Sequence, residues 1–176
     1  MNLSFTAFDR AFIFSATMGR KRSEKVCGYS NRTTDGLYIV TLDYDGLTPE
    51  WLRGELIRLQ QWFALSTFYL FSSGNGYHAV CFDKLTLSQY MEVLSSSSVD
   101  PDYFRVPLTW HKRCWILRVT PKVSGEIKLI DTVRADSRRE KSSPHIRLLE
   151  NLRLIPQEAH PTVDSAGELT LVTYYT

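Results

Sequence analysis

An α+β fold, with strands and helices in the split order β-α-β-β-α-β and an antiparallel sheet, is what this sequence predicts. Three observations predict it. Tyr38-Ile39-Val40-Thr41-Leu42 is an apolar, β-branched run, and a helix start follows it within a few residues. Two further runs of β-formers, 67–72 and 77–82, flank Ser73-Gly74-Asn75-Gly76, whose glycines signal a hairpin. A second helical pattern over 87–94 is then followed by a strong strand pattern at 114–120.

Taken in order, 12–16 reads as a short strand and 17–34, polar, basic and glycine-containing, as a loop. The strand 37–43 ends in Asp43-Tyr44-Asp45-Gly46. Thr48-Pro49-Glu50 then supplies an N-cap, a proline at the first helical position and an acid in the first turn. Trp51, Leu52, Leu56, Leu59, Trp62 and Phe63 follow at helical spacing, so both tryptophans are expected to pack against the core. Leu87, Tyr90, Met91 and Leu94 share one face of the second helix. Pro101 and Pro107 predict that 99–110 is irregular. After Gly125, 127–131 reads as a strand in a hairpin with 114–120. Pro144 opens a further helix with apolar Ile146, Leu148, Leu149 and Leu152, and 168–174 closes as a strand. The order is RRM-like, with helices on one face and extra flanking strands. It implies a single domain over 1–176, with its core at about 37–122 and an extension over 123–176. In that topology the 37–43 strand is central, the Arg118 strand lies beside it, and the His78 strand lies on its other side. The basic-Gly-aromatic signature of RNA-binding RRM domains is absent.

Composition sets bounds on function. The chain has 176 residues, 43% apolar and 23% charged, with a net charge of +2. That is an ordinary globular balance. Basic residues are nevertheless clustered, at 20–22, at 111–113 and from Arg134 to Arg153. Three widely spaced cysteines form no Cys-x-x-Cys pair, which argues against a zinc knuckle. Their odd number, and an N-terminus without a signal-peptide pattern, predict a reducing, cytoplasmic setting. No apolar run is long enough to span a membrane, so no membrane association is expected.

Five groups of residues carry possible chemistry. Residues i and i+2 of a strand share a face, so Asp43 and Asp45 should project together. Two such carboxylates repel unless a cation lies between them, and Mg²⁺ takes one or two carboxylates together with substrate phosphates. The simpler alternative is a strand running into an Asp-Gly turn. In the second group, Ser73, Gly74, Gly76 and His78 form a glycine hairpin whose amides can approach a triphosphate, with His78 as a polar partner. A plain hairpin with a half-buried histidine is the alternative. The third group is Arg118 and Lys122, which suit phosphate or else protect an edge strand. The fourth is Asp131, which can complete a metal site or cap a turn. The fifth is the run Arg134, Arg138, Arg139, Lys141, His145, Arg147 and Arg153, which suits a nucleic-acid backbone or a solvated face. There is no phosphate-binding Gly-x-x-x-x-Gly-Lys loop and no Gly-x-Ser-x-Gly elbow.

Asp43-Tyr44-Asp45 on a strand, followed by Ser73-Gly74-Asn75-Gly76-Tyr77-His78 on a hairpin, resembles the first two motifs of the archaeo-eukaryotic primase superfamily, the primase–polymerases. These motifs are apolar-Asp-x-Asp/Glu and Ser-Gly-x-Gly-x-His. The resemblance covers about 38–149. It implies an RRM-like catalytic core that joins nucleoside triphosphates on a single-stranded DNA template with Mg²⁺ or Mn²⁺, in the replication of a mobile element such as a phage or plasmid. A replicative helicase is a partner it allows. It makes Asp43, Asp45 and Asp131 the metal-binding and catalytic set. Ser73, Gly74, Gly76, His78, Arg118 and Lys122 become the nucleotide-binding set. Arg134, Arg138, Arg139, Lys141 and Arg147 become nucleic-acid contacts. The chain departs from the family at the third motif, apolar-Asp: the strand after the second helix carries Arg118 there, which leaves Asp131 as the alternative. The family's zinc-binding insert is also missing. Two other functions stand beside this one. The first is a non-catalytic single-strand-binding replication initiator. The second is a rolling-circle nicking endonuclease with Tyr174 or Tyr175 as nucleophile; His78-Ala79-Val80 lacks the second histidine that such a site needs.

Overall fold

The computed structural model describes residues 2–7, 10–15, 25–109, 114–120, 125–157 and 171–175. They form an α+β structure in which every paired strand is antiparallel. β1 (Asn2–Ala7) pairs with β2 (Arg10–Ser15). β3 (Lys25–Ser30) is followed by β4 (Tyr38–Asp45), α1 (Pro49–Phe63), β5 (Phe68–Ser72), β6 (Gly76–Leu85) and α2 (Leu87–Ser95). Then come α3 (Pro101–Thr109), β7 (Ile116–Arg118), β8 (Lys128–Val133), α4 (Ser143–Asn151) and β9 (Leu171–Tyr175). One sheet has the order β4-β6-β5-β8 and another the order β7-β3-β9.

The helices form where their caps and spacing predict. Thr48 accepts from the Trp51 amide and Pro49 opens α1. Thr86 and Gln89 form a reciprocal capping box on α2. Both helices cover one face of the four-stranded sheet, where Val40, Leu42 and Tyr44 meet Leu52, Leu56, Leu59, Tyr90 and Val93. The other face is not bare. Ile39, Phe71, Val80 and Phe82 pack there with Ile146 and Leu149 of α4 and with Tyr29 and Leu117. The expected arrangement of helices on one face is therefore incomplete, because the amphipathic helix after Pro144 takes part of the opposite face.

β4 lies at the edge of its sheet, not at its centre. The Arg118 strand does not extend that sheet: β7 pairs with β3, Arg118 opposite Gly28. The reason is visible along β4's outer edge, whose polar groups are satisfied one alternate residue at a time. The Ile39 amide donates to the Asn31 carbonyl (2.9 Å), and Asn31 Nδ2 donates to the Ile39 carbonyl (3.3 Å). Tyr90 and Tyr103 donate their hydroxyls to the Thr41 carbonyl (3.0 and 3.2 Å). The Asp100 amide donates to the Asp43 carbonyl (2.8 Å). An edge filled in this way offers no ladder to a further strand. Asn31, fully buried, also ties in β7's approach: its amide donates to the Trp115 carbonyl and its Oδ1 accepts from the Trp115 amide, both at 2.9 Å.

Other expectations are corrected too. Residues 25–30, read as loop, are β3, because β7 and β9 supply ladders on both sides. Residues 101–109, read as irregular, are helix α3. Asp100 Oδ1 accepts from the amides of Asp102 and Tyr103, and Pro101 sits where a missing N–H costs nothing. β8 pairs with β5, not with β7 as a hairpin. Trp51 and Trp62 are 47% and 60% exposed, so they are not core residues. The strand pattern at 12–16 and the closing strand fall on β2 and β9.

Candidate functional site

Alternation along β4 divides its side chains cleanly. Tyr38, Val40, Leu42 and Tyr44 enter the helix-side core. Ile39, Thr41, Asp43 and Asp45 fall on the other face by the two-residue period. The ladder with β6 sets Asp43 directly opposite His78 and Asp45 directly opposite Gly76. Asp43 Oδ1 lies 3.4 Å from His78 Nε2, with the imidazole side chain 5% exposed and the carboxylate 36% exposed. A buried imidazole edge thus meets a carboxylate whose remaining surface reaches solvent. Tyr103 closes this corner. Its hydroxyl is 2.7 Å from Thr41 Oγ1, and burial, with Tyr90 and Asp43 nearby, pushes its pKa well above the ordinary tyrosine value.

Gly76 is required by this crossing. A Cβ there would lie 2.2 Å from Asp45 Oδ1 and 2.4 Å from the Tyr44 carbonyl oxygen. The Asp45 carboxylate leans across the strand pair into the space a side chain would fill. Gly74 has φ +99° at the first central position of the tight turn, and the Ser73 amide donates to the Gly76 carbonyl at 2.9 Å. That fits a type II′ hairpin, which places glycine first. Gly125 packs on Gly74, since its Cβ would come 3.1 Å from the Gly74 Cα.

Arg118 reaches this hairpin from the other sheet. It is buried, and its guanidinium donates to the Ser73 carbonyl and the Thr120 carbonyl, both at 2.6 Å. The bond to Ser73 fastens the glycine turn to β7, and the bond to Thr120 holds the guanidinium in position. Ser73, Gly74, Gly76, His78 and Arg118 are therefore gathered beside Asp43 and Asp45. Lys122 lies outside the described residues, as do the basic clusters at 20–22 and 111–113.

Asp131 is elsewhere. Leu129 pairs with Phe71 but Asp131 pairs with Leu70, so Ile130 is an inserted residue, a β-bulge. One extra residue reverses which face the following side chains take. Leu129 joins the carboxylate-side core, whereas Val133 joins the helix-side core. Asp131 follows Val133 to the helix side, where Arg53 of α1 forms an ion pair with it. The two, with Glu50 and Tyr77, line a groove of about 400 Å³ at the start of α1. Among the described residues no three His, Cys, Asp or Glu side chains are gathered as a metal cage.

The basic run divides as well. The segment holding Arg134, Arg138 and Arg139 is fastened at the C-terminal end of α1: Gln60 Nε2 donates to the Val133 carbonyl (2.8 Å) and Arg139 donates to the Phe63 carbonyl (3.2 Å). Lys141 bridges β6 at Asp83, and Arg147 is exposed on α4. His145 is structural. Its Nδ1 is 2.7 Å from Ser142 Oγ and its Nε2 2.9 Å from the Ser30 carbonyl, so it stitches α4 to β3, and burial lowers its pKa to about 4. Burial likewise pushes the Cys81 thiol up to about 12, which removes it as a nucleophile. Tyr174 and Tyr175 sit in β9 opposite Val26 and Lys25.

Sequence reasoning missed Asp100 and Tyr103. The signal was present, because Asp100-Pro101-Asp102 repeats the start signature of Thr48-Pro49-Glu50. Among the described residues no helix is long and apolar enough to cross a membrane. Comparison of the chain with protein-family models, curated proteins and solved structures gave no match.

Proposed function

We propose that the chain is a small primase–polymerase-like nucleotidyltransferase, built on an α+β core, acting on single-stranded DNA and nucleoside triphosphates. One observation carries this reading: Asp43 and Asp45 share a strand face, directly opposite His78 and Gly76 of a glycine hairpin. The donor set suits Mg²⁺ or Mn²⁺. Two carboxylates with solvent access, one leaning over a glycine with no Cβ in its way, leave the remaining positions to water and substrate phosphates. When bound, the divalent ions activate the attacking 3′-hydroxyl and offset charge on the leaving pyrophosphate.

The chain's own residues have separate tasks in this proposal. Asp43 and Asp45 hold the metal and fix its position relative to the strand. His78, buried beside Asp43, orients that carboxylate. Ser73, Gly74 and Gly76 let the triphosphate come close to the backbone. Arg118 keeps the turn in place through the Ser73 carbonyl, a positioning role in place of direct phosphate binding. Asp131, paired with Arg53, is left out of the metal set.

The test is primer synthesis and extension with Mg²⁺ or Mn²⁺ by the wild-type chain and by Asp43→Ala/Asp45→Ala. Incorporation by the wild type and none by the variant is expected; equal activity sinks the assignment. A second reading draws on the position of Asp131. With two carboxylates in place of three, the same surface suits a non-catalytic single-strand-binding initiator module. Titration of labelled nucleotide with and without Mn²⁺ separates the two, since only the enzyme needs metal-dependent nucleotide affinity.

A further inference from the structure

We infer that the outer face of α1 is a single-stranded nucleic-acid platform, separate from the carboxylate site, with Trp62 and Trp51 as base-stacking surfaces and Arg134 and Arg138 as phosphate contacts. Four observations on different parts of the fold lead there.

First, Trp51 and Trp62 are large apolar side chains left 47% and 60% exposed on a helix whose other face is fully buried. They are eleven positions apart. At 100° per residue Trp51, Arg58 and Trp62 therefore fall in one line along the helix, spread over about 16 Å. Second, the ring of Trp62 is held. Arg58 lies over it, 4.6 Å from the ring centroid to Cζ. Arg58 is itself fixed by donating to Glu55 Oε2 (3.3 Å) and the Ser96 carbonyl (3.2 Å). One ring face is thus backed by a cation, which leaves the other for a base.

Third, the tertiary structure brings residues 133–139, the first part of the basic run, to the same end of α1. The Val133 carbonyl accepts from Gln60, the Ala135 carbonyl from Thr67, and Arg139 donates to the Phe63 carbonyl. Arg134 and Arg138 are exposed on this segment, and Asp136 is its one carboxylate. Among the described residues neither arginine forms an ion pair within the chain. Fourth, the apolar surface is discontinuous. Arg58 interrupts the line between the tryptophans, Gly54 beside that line carries no side chain, and the exposed Ile57 lies about 120° around the helix from Trp51. Protein-binding hot spots cluster inside a surrounding ring of contacts that excludes water. Separate rings flanked by arginines match successive bases on a charged backbone instead.

The platform lies on the side of the sheet away from Asp43, and Trp62 stands at the far end of α1 from the Asp45 turn, about 20 Å along the helix. It is read by binding, independently of catalysis. A fluorescein-labelled oligothymidylate titrated with the full chain, followed by anisotropy, is the measurement. The wild type binds, and Asp43→Ala/Asp45→Ala retains that binding. Trp62→Ala weakens it about tenfold or more, whereas Trp62→Phe keeps most of it. Arg134→Gln/Arg138→Gln lowers the slope of log affinity against log salt by about 1.4. Thermal melts of the exposed-site variants, expected to match the wild type, exclude misfolding as the cause. No oligonucleotide binding by the wild type, or wild-type affinity in a folded Trp62→Ala, overturns the inference. So does a Trp62→Ala variant that changes self-association in sedimentation but not oligonucleotide affinity, because the face is then a protein interface. Binding that survives while metal-dependent incorporation is absent leaves the platform standing and removes only the polymerase proposal.

Discussion

Asp43 and Asp131 look alike in the sequence and differ in the fold. Each follows two residues of an apolar strand, Thr41-Leu42 in one case and Leu129-Ile130 in the other. Asp43 lies in an unbroken stretch of ladder opposite His78, on the sheet face away from α1 and α2. Asp131 follows a one-residue bulge and meets Arg53 of α1 on the opposite face. Side-chain alternation predicts a face only while the ladder is continuous. Two things keep Asp131 from that site: the inserted Ile130 turns it to the helix face, and the order β4-β6-β5-β8 sets its strand three spacings, about 14 Å, from β4.

The largest test of that contrast is functional. Asp43→Ala/Asp45→Ala should reduce nucleotide incorporation to background, while Asp131→Asn should leave it within about threefold, since an exposed ion pair contributes about 1 kcal/mol or less. A primer-extension time course with both variants decides it. If Asp131→Asn is as damaging as the pair, the bulge has not separated the residues in function.

Acid should weaken the fold on the side of the sheet that carries Asp43. Burial lowers the His145 pKa from the ordinary 6.5 to about 4, so the folded chain keeps this imidazole neutral. Below about pH 6.5 the unfolded chain binds a proton there that the folded chain does not. Stability from this group is therefore full above pH 6.5 and falls as pH drops toward 4, by about 3 kcal/mol in all. Urea melts across that window should show the loss, and His145→Gln should flatten it.

Gly76 tests the close approach at Asp45. Gly76→Ala drives a Cβ against Asp45 Oδ1 and the Tyr44 carbonyl oxygen and should cost about 1–3 kcal/mol. Nucleotide incorporation should fall further than the stability loss explains if the carboxylate has been displaced. Smaller still, Tyr103→Phe removes a hydroxyl shared with the Thr41 carbonyl and Oγ1 and should destabilise by about 1 kcal/mol in denaturant melts. The smallest effect belongs to the Asp131 side. A double-mutant cycle over Arg53 and Asp131 should give a coupling of about 1 kcal/mol or less that salt reduces further.

Local patterns determined a good deal of this protein. The caps Thr48 and Thr86, the helical spacing of Leu52, Leu56 and Leu59, and the glycine turn at Gly74 are short-range signals, and each element formed where its signal stood. The proximity of Asp43 and Asp45 to Gly76 and His78 came from a longer-range inference, the split β-α-β-β-α-β order, which sets the third strand beside the first. The same inference put the Arg118 strand on the other side of the first, where it does not lie. The tertiary structure alone decided the rest. The edge position of β4 follows from hydrogen bonds that Asn31, Tyr90, Asp100 and Tyr103 bring from distant parts of the chain. Arg118 became a clamp on a backbone carbonyl because β7 found β3 as its partner. Trp51 and Trp62 share a helical spacing with core residues, and only the placement of α1 on the sheet showed which side of that helix faces water. Asp131 changed face through one bulged residue. A bulge is settled by what packs around it, since local propensity is the same for the paired strand and the bulged one.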